Sequence, residues 1–447
     1  MSGITIYEFD ILVPTVPGSI ESEGLHGIPA LVFNWFELQC LRTAEQGNAS
    51  WLRLTQRHGR RCVQVTNFVG VIRAPDGYQI EVLPKVGKAI GGGDKEARQL
   101  LIKMLCCLGG FRHIQTESAL LAAARMPLLE VFIGEFLRSV EHVAKRGLRS
   151  NYNSCQGNLF ALRGKLMVAQ HLHQNLCRAD RFFTEYDEFS SNRPENRLLH
   201  SALRCALVLT TSQSNQQLAR ELCFAFAEVP TSNQHAQDFL LTRMDRGMDH
   251  YADAIAWARL ILEAESPLTG TGKNRATSLL FPMEAVFEAY VAKHLAKQLA
   301  QPFNLKTQAR SFSLVQHQEQ NWFRLKPDLL VQESGSDRLV LDTKWKLIND
   351  NKANGTDKYG LAQSDFYQLH AYGHNYLDGL GDVILIYPKT NTFRKPLDVF
   401  DFPKSTGLRL WVLPFCMDEH RLIIPPNAPF AASFDCYETS NSERDFN

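Results

Sequence analysis

Asp328, Asp342 and Lys344 are the residues of this 447-residue chain whose types and spacing suit a reaction best. They lie in FRLKPDLLVQESGSDRLVLDTKWKLI, from Phe323 to Ile348. Two short apolar runs flank a turn rich in Ser, Gly and Asp there, which is a β-hairpin pattern. With a loop from Glu333 to Asp337 centred on Gly335, Gln332 faces Arg338, and four steps further out Asp328 faces Asp342. Lys344 is two residues beyond Asp342, so the period of two along a strand puts both on one face. Two carboxylates and an ammonium from opposite strands then share that face. Carboxylate oxygens bind Mg²⁺, and a lysine beside them can orient a water or offset charge on a phosphate. That set suits metal-assisted phosphodiester hydrolysis. The competing reading is an exposed hairpin whose cross-strand Asp/Lys cluster contributes a fraction of a kcal/mol.

The elements around the hairpin must position these groups. Before it, Leu279 to Leu299 reads as an amphipathic helix with Met283, Val286, Phe287, Tyr290 and Val291 as its apolar stripe. Glu284 and Glu288 sit one turn apart on its flank, either as solvated acids or, for Glu288, as a group extending toward the metal. After the hairpin, Gln363 to about Leu377 reads as a helix with Asp365, Gln368 and Tyr372 on one face. That row either touches the metal cluster or DNA backbone, or is ordinary surface. Asp382 to Tyr387 reads as a buried strand and Leu408 to Phe415 as another. Helix, strand, hairpin, helix, strand describes an α/β sandwich with a mixed sheet flanked by helices.

The amino-terminal part is mixed α+β. Residues 1 to 90 look β-rich, with a hairpin turn at Pro75-Asp76-Gly77 between Phe68–Ile72 and Tyr78–Leu83. Gly91-Gly92-Gly93 marks a joint, and helical spacing runs from 95 to 150, with Gly147 placed to end a helix. Residues 151 to 191 look extended, and 194 to 265 return to helical patterns. Between Arg138 and Arg181 there are eight basic residues against two acidic ones, either a patch for DNA or an acidic partner, or a surface offset by its neighbours. Ser266 to Lys273 reads as the linker, which divides the chain into 1–265 and 266–447. Gly272-Lys273 does not make a phosphate-binding loop, because Pro267 stands where Gly is needed and Asn274 where Ser or Thr is needed.

Composition excludes other classes. The hydrophobic share is 45% and the charged share 21%, ordinary for a globular protein, and 48 basic against 47 acidic residues give no global pull toward nucleic acid. No run approaches the roughly 18 uninterrupted apolar residues of a membrane span. MSGITIYEFD lacks the features of a secretory signal. Ten cysteines include no Cys-x-x-Cys pair, so no zinc site of usual spacing is expected, and reduced cysteines point to the cytoplasm. The tail beyond Tyr437 reads as disordered.

Pro327-Asp328 followed by Asp342-Thr343-Lys344 resembles the PD-(D/E)xK nuclease signature, with Asp in the (D/E) position. A wider resemblance runs from roughly Val63 to Pro388. It is carried by Asn67-Phe68-Val69-Gly70-Val71-Ile72, Leu83-Pro84-Lys85, Gly147-Leu148, Tyr152 and Leu162-Arg163-Gly164-Lys165. Tyr186-Asp187-Glu188-Phe189, Asn196-Arg197, Phe287-Glu288 and Gln368-x-x-x-Tyr372 continue it. In this order they resemble the McrC family, the nuclease subunits of McrBC-type modification-dependent (5-methylcytosine) restriction systems. The resemblance implies that 1–265 docks on a hexameric McrB-like AAA+ GTPase, which binds the GTP and reads the modified cytosine. It implies that 266–447 is a PD-(D/E)xK endonuclease domain acting on double-stranded DNA. In that scheme Asp328, Asp342 and the carbonyl of Thr343 hold Mg²⁺, and Lys344 positions or activates water. Glu288, Gln368 and Tyr372 support them. The alternative function is a non-catalytic adaptor that activates the GTPase without cutting DNA.

Overall fold

The computed structural model describes residues 3–15, 24–45, 51–57, 59–89, 93–108, 119, 126–263, 277–309, 311–405 and 407–435. The expected linker at 266–273, Gly91 and Gly92 of the expected joint, and the tail beyond 437 lie outside them. No described helix is long and apolar enough to cross a membrane.

By packing, the chain forms two units. The first consists chiefly of Val71–Gln79 and His113–Leu279, the second of Ser2–Gly70, Ile80–Arg112 and Leu280–Asn447. The sequence suggested one boundary, at 266–273; instead, residues Ser2–Gly70 and Ile80–Arg112 pack with the carboxy-terminal part. Strand and helix periods are local signals and carry no information about such distant pairings.

In the first unit, the helices Leu128–Arg146, Pro194–Leu209, Gln213–Ala225 and Ala252–Glu263 bury Phe132, Phe136, Leu198, Leu203 and Trp257. Gly147, at φ +87°, ends the first of them as its spacing predicts. The turn at 75–77 forms, with Gly77 at φ +87° donating its N–H to Ala74 at 2.9 Å. Asn151–Leu159, Phe182–Ser190 and Lys165–Leu166 make a small antiparallel sheet with the second of these in the middle. It leaves Tyr152, Phe160, Leu162 and Phe189 more than half exposed. The basic stretch is partly offset, since Arg138 pairs with Glu135 and Lys145 lies 2.7 Å from Glu141. The Arg163 and Arg181 guanidinium groups stand 4.6 and 4.5 Å from the ring centroids of Tyr186 and Phe160.

The second unit opens β-rich as expected, in strands such as Gly3–Tyr7, Ile11–Pro14, Leu52–Arg57 and Arg60–Val65. It also contains a helix not anticipated, Ala30–Glu45, which buries Val32, Phe33, Phe36 and Cys40 at helical spacing. Its main sheet has seven strands. Six run in the order Phe303–Thr307, Leu329–Glu333, Ser336–Thr343, Gly381–Pro388, Leu408–Cys416 and Phe400–Asp401, with Arg421–Leu422 also paired to Leu408–Cys416. The pairs among Ser336–Thr343, Gly381–Pro388 and Leu408–Cys416 are parallel and the others antiparallel, so the sheet is mixed. Its central strands are nearly continuous apolar runs because helices cover both faces. Leu330, Val340, Val383 and Leu385 pack with Leu369, Tyr372 and Tyr376 of the helix Gln363–Tyr376. On the opposite face, Phe287 and Tyr290 of the helix Met283–Gln298 meet Trp345 and Phe415. That helix begins at Met283 rather than Leu279, because Thr277–Pro282 is a strand and Pro282 occupies the cap.

Candidate functional site

The hairpin Leu329–Glu333/Ser336–Thr343 turns through Ser334 and Gly335, both at positive φ (51° and 88°). Positive φ at both central residues is the two-residue geometry that matches strand twist. The loop is therefore shorter than the five residues expected, and Gln332 pairs with Asp337 rather than Arg338. A bulge follows, since the next pair is Val331 with Leu339. The extra residue, Arg338, restores the register to Leu329 opposite Leu341, and one further step puts Asp328 opposite Asp342. The two errors in the expected turn cancel at the site.

Lys344 extends the parallel pairing, donating its N–H to the Ile386 carbonyl at 2.9 Å. Its Nζ lies 2.6 Å from Asp342 Oδ2 and donates to Gln368 Oε1 at 3.1 Å. Gln368 Nε2 donates to the Tyr372 hydroxyl at 2.8 Å, which donates in turn to the Lys326 carbonyl at 3.0 Å. Burial works against the ammonium, but the adjoining Asp342 outweighs it and holds the lysine above its ordinary value. Asp328 Oδ2 accepts both the N–H and the hydroxyl of Thr343, each at 2.8 Å.

Glu288, on Met283–Gln298, accepts a hydrogen bond from Gln308, whose N–H donates to the Asp328 carbonyl at 3.0 Å. Burial pushes the Glu288 carboxyl up, and the charge of Asp328 adds to the shift. Of the row on the following helix, Gln368 and Tyr372 reach the lysine, whereas Asp365 binds Lys346 at 2.9 Å and the Tyr387 hydroxyl at 3.2 Å. The sequence reading did not single out Lys346, although it extends the period of two from Asp342 and Lys344. It also gave no role to Tyr387, Trp345 or Glu8.

Asp342 is 1% exposed, and burial, then the charge of Asp328, pushes its carboxyl up to about 7. Its Oδ2 touches the lysine but makes no hydrogen bond of ordinary geometry. A buried carboxylate whose cationic neighbour is a lysine, beside a second carboxylate, supplies the oxygen ligands that a hard cation such as Mg²⁺ takes. Among the described residues, however, no group of three or more His, Cys, Asp or Glu side chains gathers at metal-binding spacing. The acidic set assembled here is thus a pair, with Glu288 near enough to sense Asp328.

The two aspartates should differ in stability. Asp342 titrates near 7 when folded against 3.8 in the unfolded chain. A raised value gives stability that is complete below the unfolded pKa and is lost as pH rises through 7. In metal-free protein the melting temperature should therefore fall between pH 5 and pH 8, and Asp342→Asn should flatten that fall. Asp328→Ala should lower the melting temperature, because the Thr343 N–H loses its acceptor at a cost of about 1–3 kcal/mol. Thermal melts at pH 5 and 8 check both signs.

Comparison with known proteins adds the following. The family described as "McrBC 5-methylcytosine restriction system component" matches residues 63–388. No curated protein matches. A chain from the tetradecameric assembly of Thermococcus gammatolerans McrB AAA+ hexamers with bound McrC is similar in fold over 97% of both chains, with TM-score 0.66 and 18% identity. A chain of the Thermococcus gammatolerans McrBC complex is similar over 67% of this chain and 89% of its own, with TM-score 0.51 and 20% identity. The family match takes in the Asp328, Asp342 and Lys344 cluster and most of both units, and the chain belongs to the McrBC 5-methylcytosine restriction system component family.

Proposed function

We propose that this chain is the Mg²⁺-dependent DNA endonuclease subunit of a McrBC-like restriction complex, with a PD-(D/E)xK site at Asp328, Asp342 and Lys344. The observation that carries the reading is the buried Asp342 carboxylate, close enough to feel the charge of Asp328 and 2.6 Å from a lysine held charged. Asp328, Asp342 and the Thr343 carbonyl would hold a Mg²⁺ ion, which when bound polarises the phosphate and acidifies a water. Lys344 orients the attacking water and offsets charge that develops on the phosphate oxygens. Gln368, fixed by Tyr372, keeps the ammonium from swinging away. Glu288 flanks Asp328 and can orient a further water. The partner is an AAA+ GTPase hexamer of McrB type, which binds the GTP and reads methylcytosine. This chain stimulates its hydrolysis through residues ahead of the linker, and the exposed aromatic sheet at 151–190 supports that placement.

The test is cleavage of methylated plasmid by the reconstituted pair with GTP. Double-strand breaks should require Mg²⁺, methylation and both proteins, and the chain alone should leave unmodified DNA intact. Stimulated GTP hydrolysis without breaks at any Mg²⁺ concentration would make the chain an adaptor instead. Metal binding can be followed without DNA. A proton occupies Asp342 below about pH 7 and competes with the ion, so Mg²⁺ should raise the melting temperature more at pH 8 than at pH 6. Asp342→Asn should remove that shift. A shift that is equal at both pH values and survives the substitution would place the ion elsewhere.

A further inference from the structure

The residue after the lysine is held from both sides by the beginning of the chain. Trp345 leaves the sheet on the face opposite Lys344 and is 4% exposed. Its indole N–H donates to both oxygens of Glu8, at 2.9 and 3.0 Å. Its main-chain carbonyl accepts from Lys85 Nζ at 3.1 Å. The Lys85 N–H closes the set by donating to Glu8 Oε1 at 3.0 Å. Lys85 Nζ stands 4.5 Å from the centroid of the Phe9 ring, and the Phe287 ring packs 5.2 Å from Trp345. All of these residues belong to the second unit, and Glu8 is itself 3% exposed.

A buried carboxylate and a half-buried ammonium are an expensive way to anchor a tryptophan. Burial pushes Glu8 up to about 7 and pulls Lys85 down. Replacing such a pair with apolar residues is often neutral or stabilising. What the polar set provides is direction. A hydrogen bond to the indole edge and another to the carbonyl fix both the side chain and the main chain of Trp345, leaving the peptide after Lys344 little freedom to rotate.

We infer that Glu8 and Lys85 are positioning residues for Lys344, acting through Trp345 to keep its ammonium between Asp342 and Gln368. This rests on the function proposed above for Lys344. The clamp also gives a reason for Ser2–Gly70 and Ile80–Arg112 to pack with the site. They complete its rear wall.

The test uses the full chain with Glu8→Ala and Glu8→Gln, read in two ways. Lysine acylation followed by mass spectrometry reports Lys344 directly, with exposed Lys145 in the other unit as reference and half-buried Lys389, against Cys416 in the same unit, as a monitor of general loosening. In Glu8→Ala, Lys344 should acylate several-fold faster while Lys145 and Lys389 keep their rates. Glu8→Gln should fall between Glu8→Ala and wild type, because an amide oxygen at the Oε1 position still accepts from Trp345 and Lys85 whereas the NH₂ replacing Oε2, 3.0 Å from the indole nitrogen, cannot accept. In the reconstituted complex, single-turnover cleavage should fall by roughly ten- to a hundredfold in Glu8→Ala, the scale of a displaced catalytic group. Part of that loss should be recovered in Glu8→Gln, with GTPase stimulation unchanged throughout. Unchanged Lys344 acylation in Glu8→Ala overturns the inference whether or not the complex cuts DNA. So does acceleration of Lys389 in step with Lys344, which would mean general loosening. A wild-type complex that never cuts overturns the nuclease reading instead, and the acylation rates still decide the clamp.

Discussion

Lys344→Ala should remove double-strand cleavage while leaving the partner's GTP hydrolysis stimulated at the unmutated level. The ammonium sits 2.6 Å from Asp342 and 3.1 Å from Gln368, with no other lysine in either contact. Lys346 does not substitute for it, because it is held 2.9 Å from Asp365. Loss of a group that orients the nucleophile and offsets transition-state charge costs on the order of a hundredfold or more in rate. The variant also leaves Asp342 beside Asp328 without its cation, so metal-free protein should melt lower at pH 8 than at pH 6. Plasmid cleavage and GTP turnover measured on the same complexes check the separation. Cleavage within a few-fold of wild type would move the active site. Loss of both activities together would place the hairpin in the docking surface.

The converse is expected at Gly164, in the turn that feeds Lys165–Leu166 onto the edge of the exposed sheet. Its φ is +72°, and a Cβ there would lie 2.3 Å from the Glu185 carbonyl oxygen and 2.9 Å from Tyr186 Cα. Both are main-chain atoms of the central strand, so neither can yield without unpairing Thr184 and Glu185 from Leu166 and Lys165. Gly164→Val should cost about 1–3 kcal/mol or more locally and displace Arg163 from the Tyr186 ring. GTPase stimulation should fall toward the basal rate of the ring, and cleavage with it. The Mg²⁺-induced melting shift at Asp342 should survive, since that site lies in the other unit. Gly247→Ala is the control, as its φ is +87° but a Cβ there meets nothing within 4 Å. Undiminished stimulation in Gly164→Val would assign docking to another surface.

Much of the candidate site was legible in the sequence because it is built from short-range regularities. The period of two carried Asp342 and Lys344 to one face, and Gln368 and Tyr372 followed from the helical period. The facing of Asp328 and Asp342 was reached through a wrong turn. A two-residue turn and a bulge at Arg338 yield the same outer register as a five-residue loop, and apolar alternation does not distinguish them. The helix Ala30–Glu45 carried its signal in Val32, Phe33, Phe36 and Cys40, but the strands around it dominated that reading. The edge strand Phe303–Thr307 and the hairpin Ser313–His317/Gln320–Arg324 are mostly exposed and polar, so they lack the apolar pattern by which strands are found. Glu8 and Lys85 were illegible for a different reason. Each stands alone in its local sequence, and nothing near either residue refers to a tryptophan hundreds of positions away.

That separation has a consequence for how the protein is made. Glu8 and Trp345 are 337 positions apart, and the strand Leu408–Cys416 that flanks the sheet comes later still. At about 5–20 residues per second, a ribosome takes on the order of 20–70 s to pass from the first of these residues to the second. The Lys85 N–H can reach Glu8 early, but the indole that the pair holds is made only much later. With its rear wall made long before the Leu329–Thr343 hairpin and a flanking strand made after it, the candidate site cannot assemble on a half-made chain.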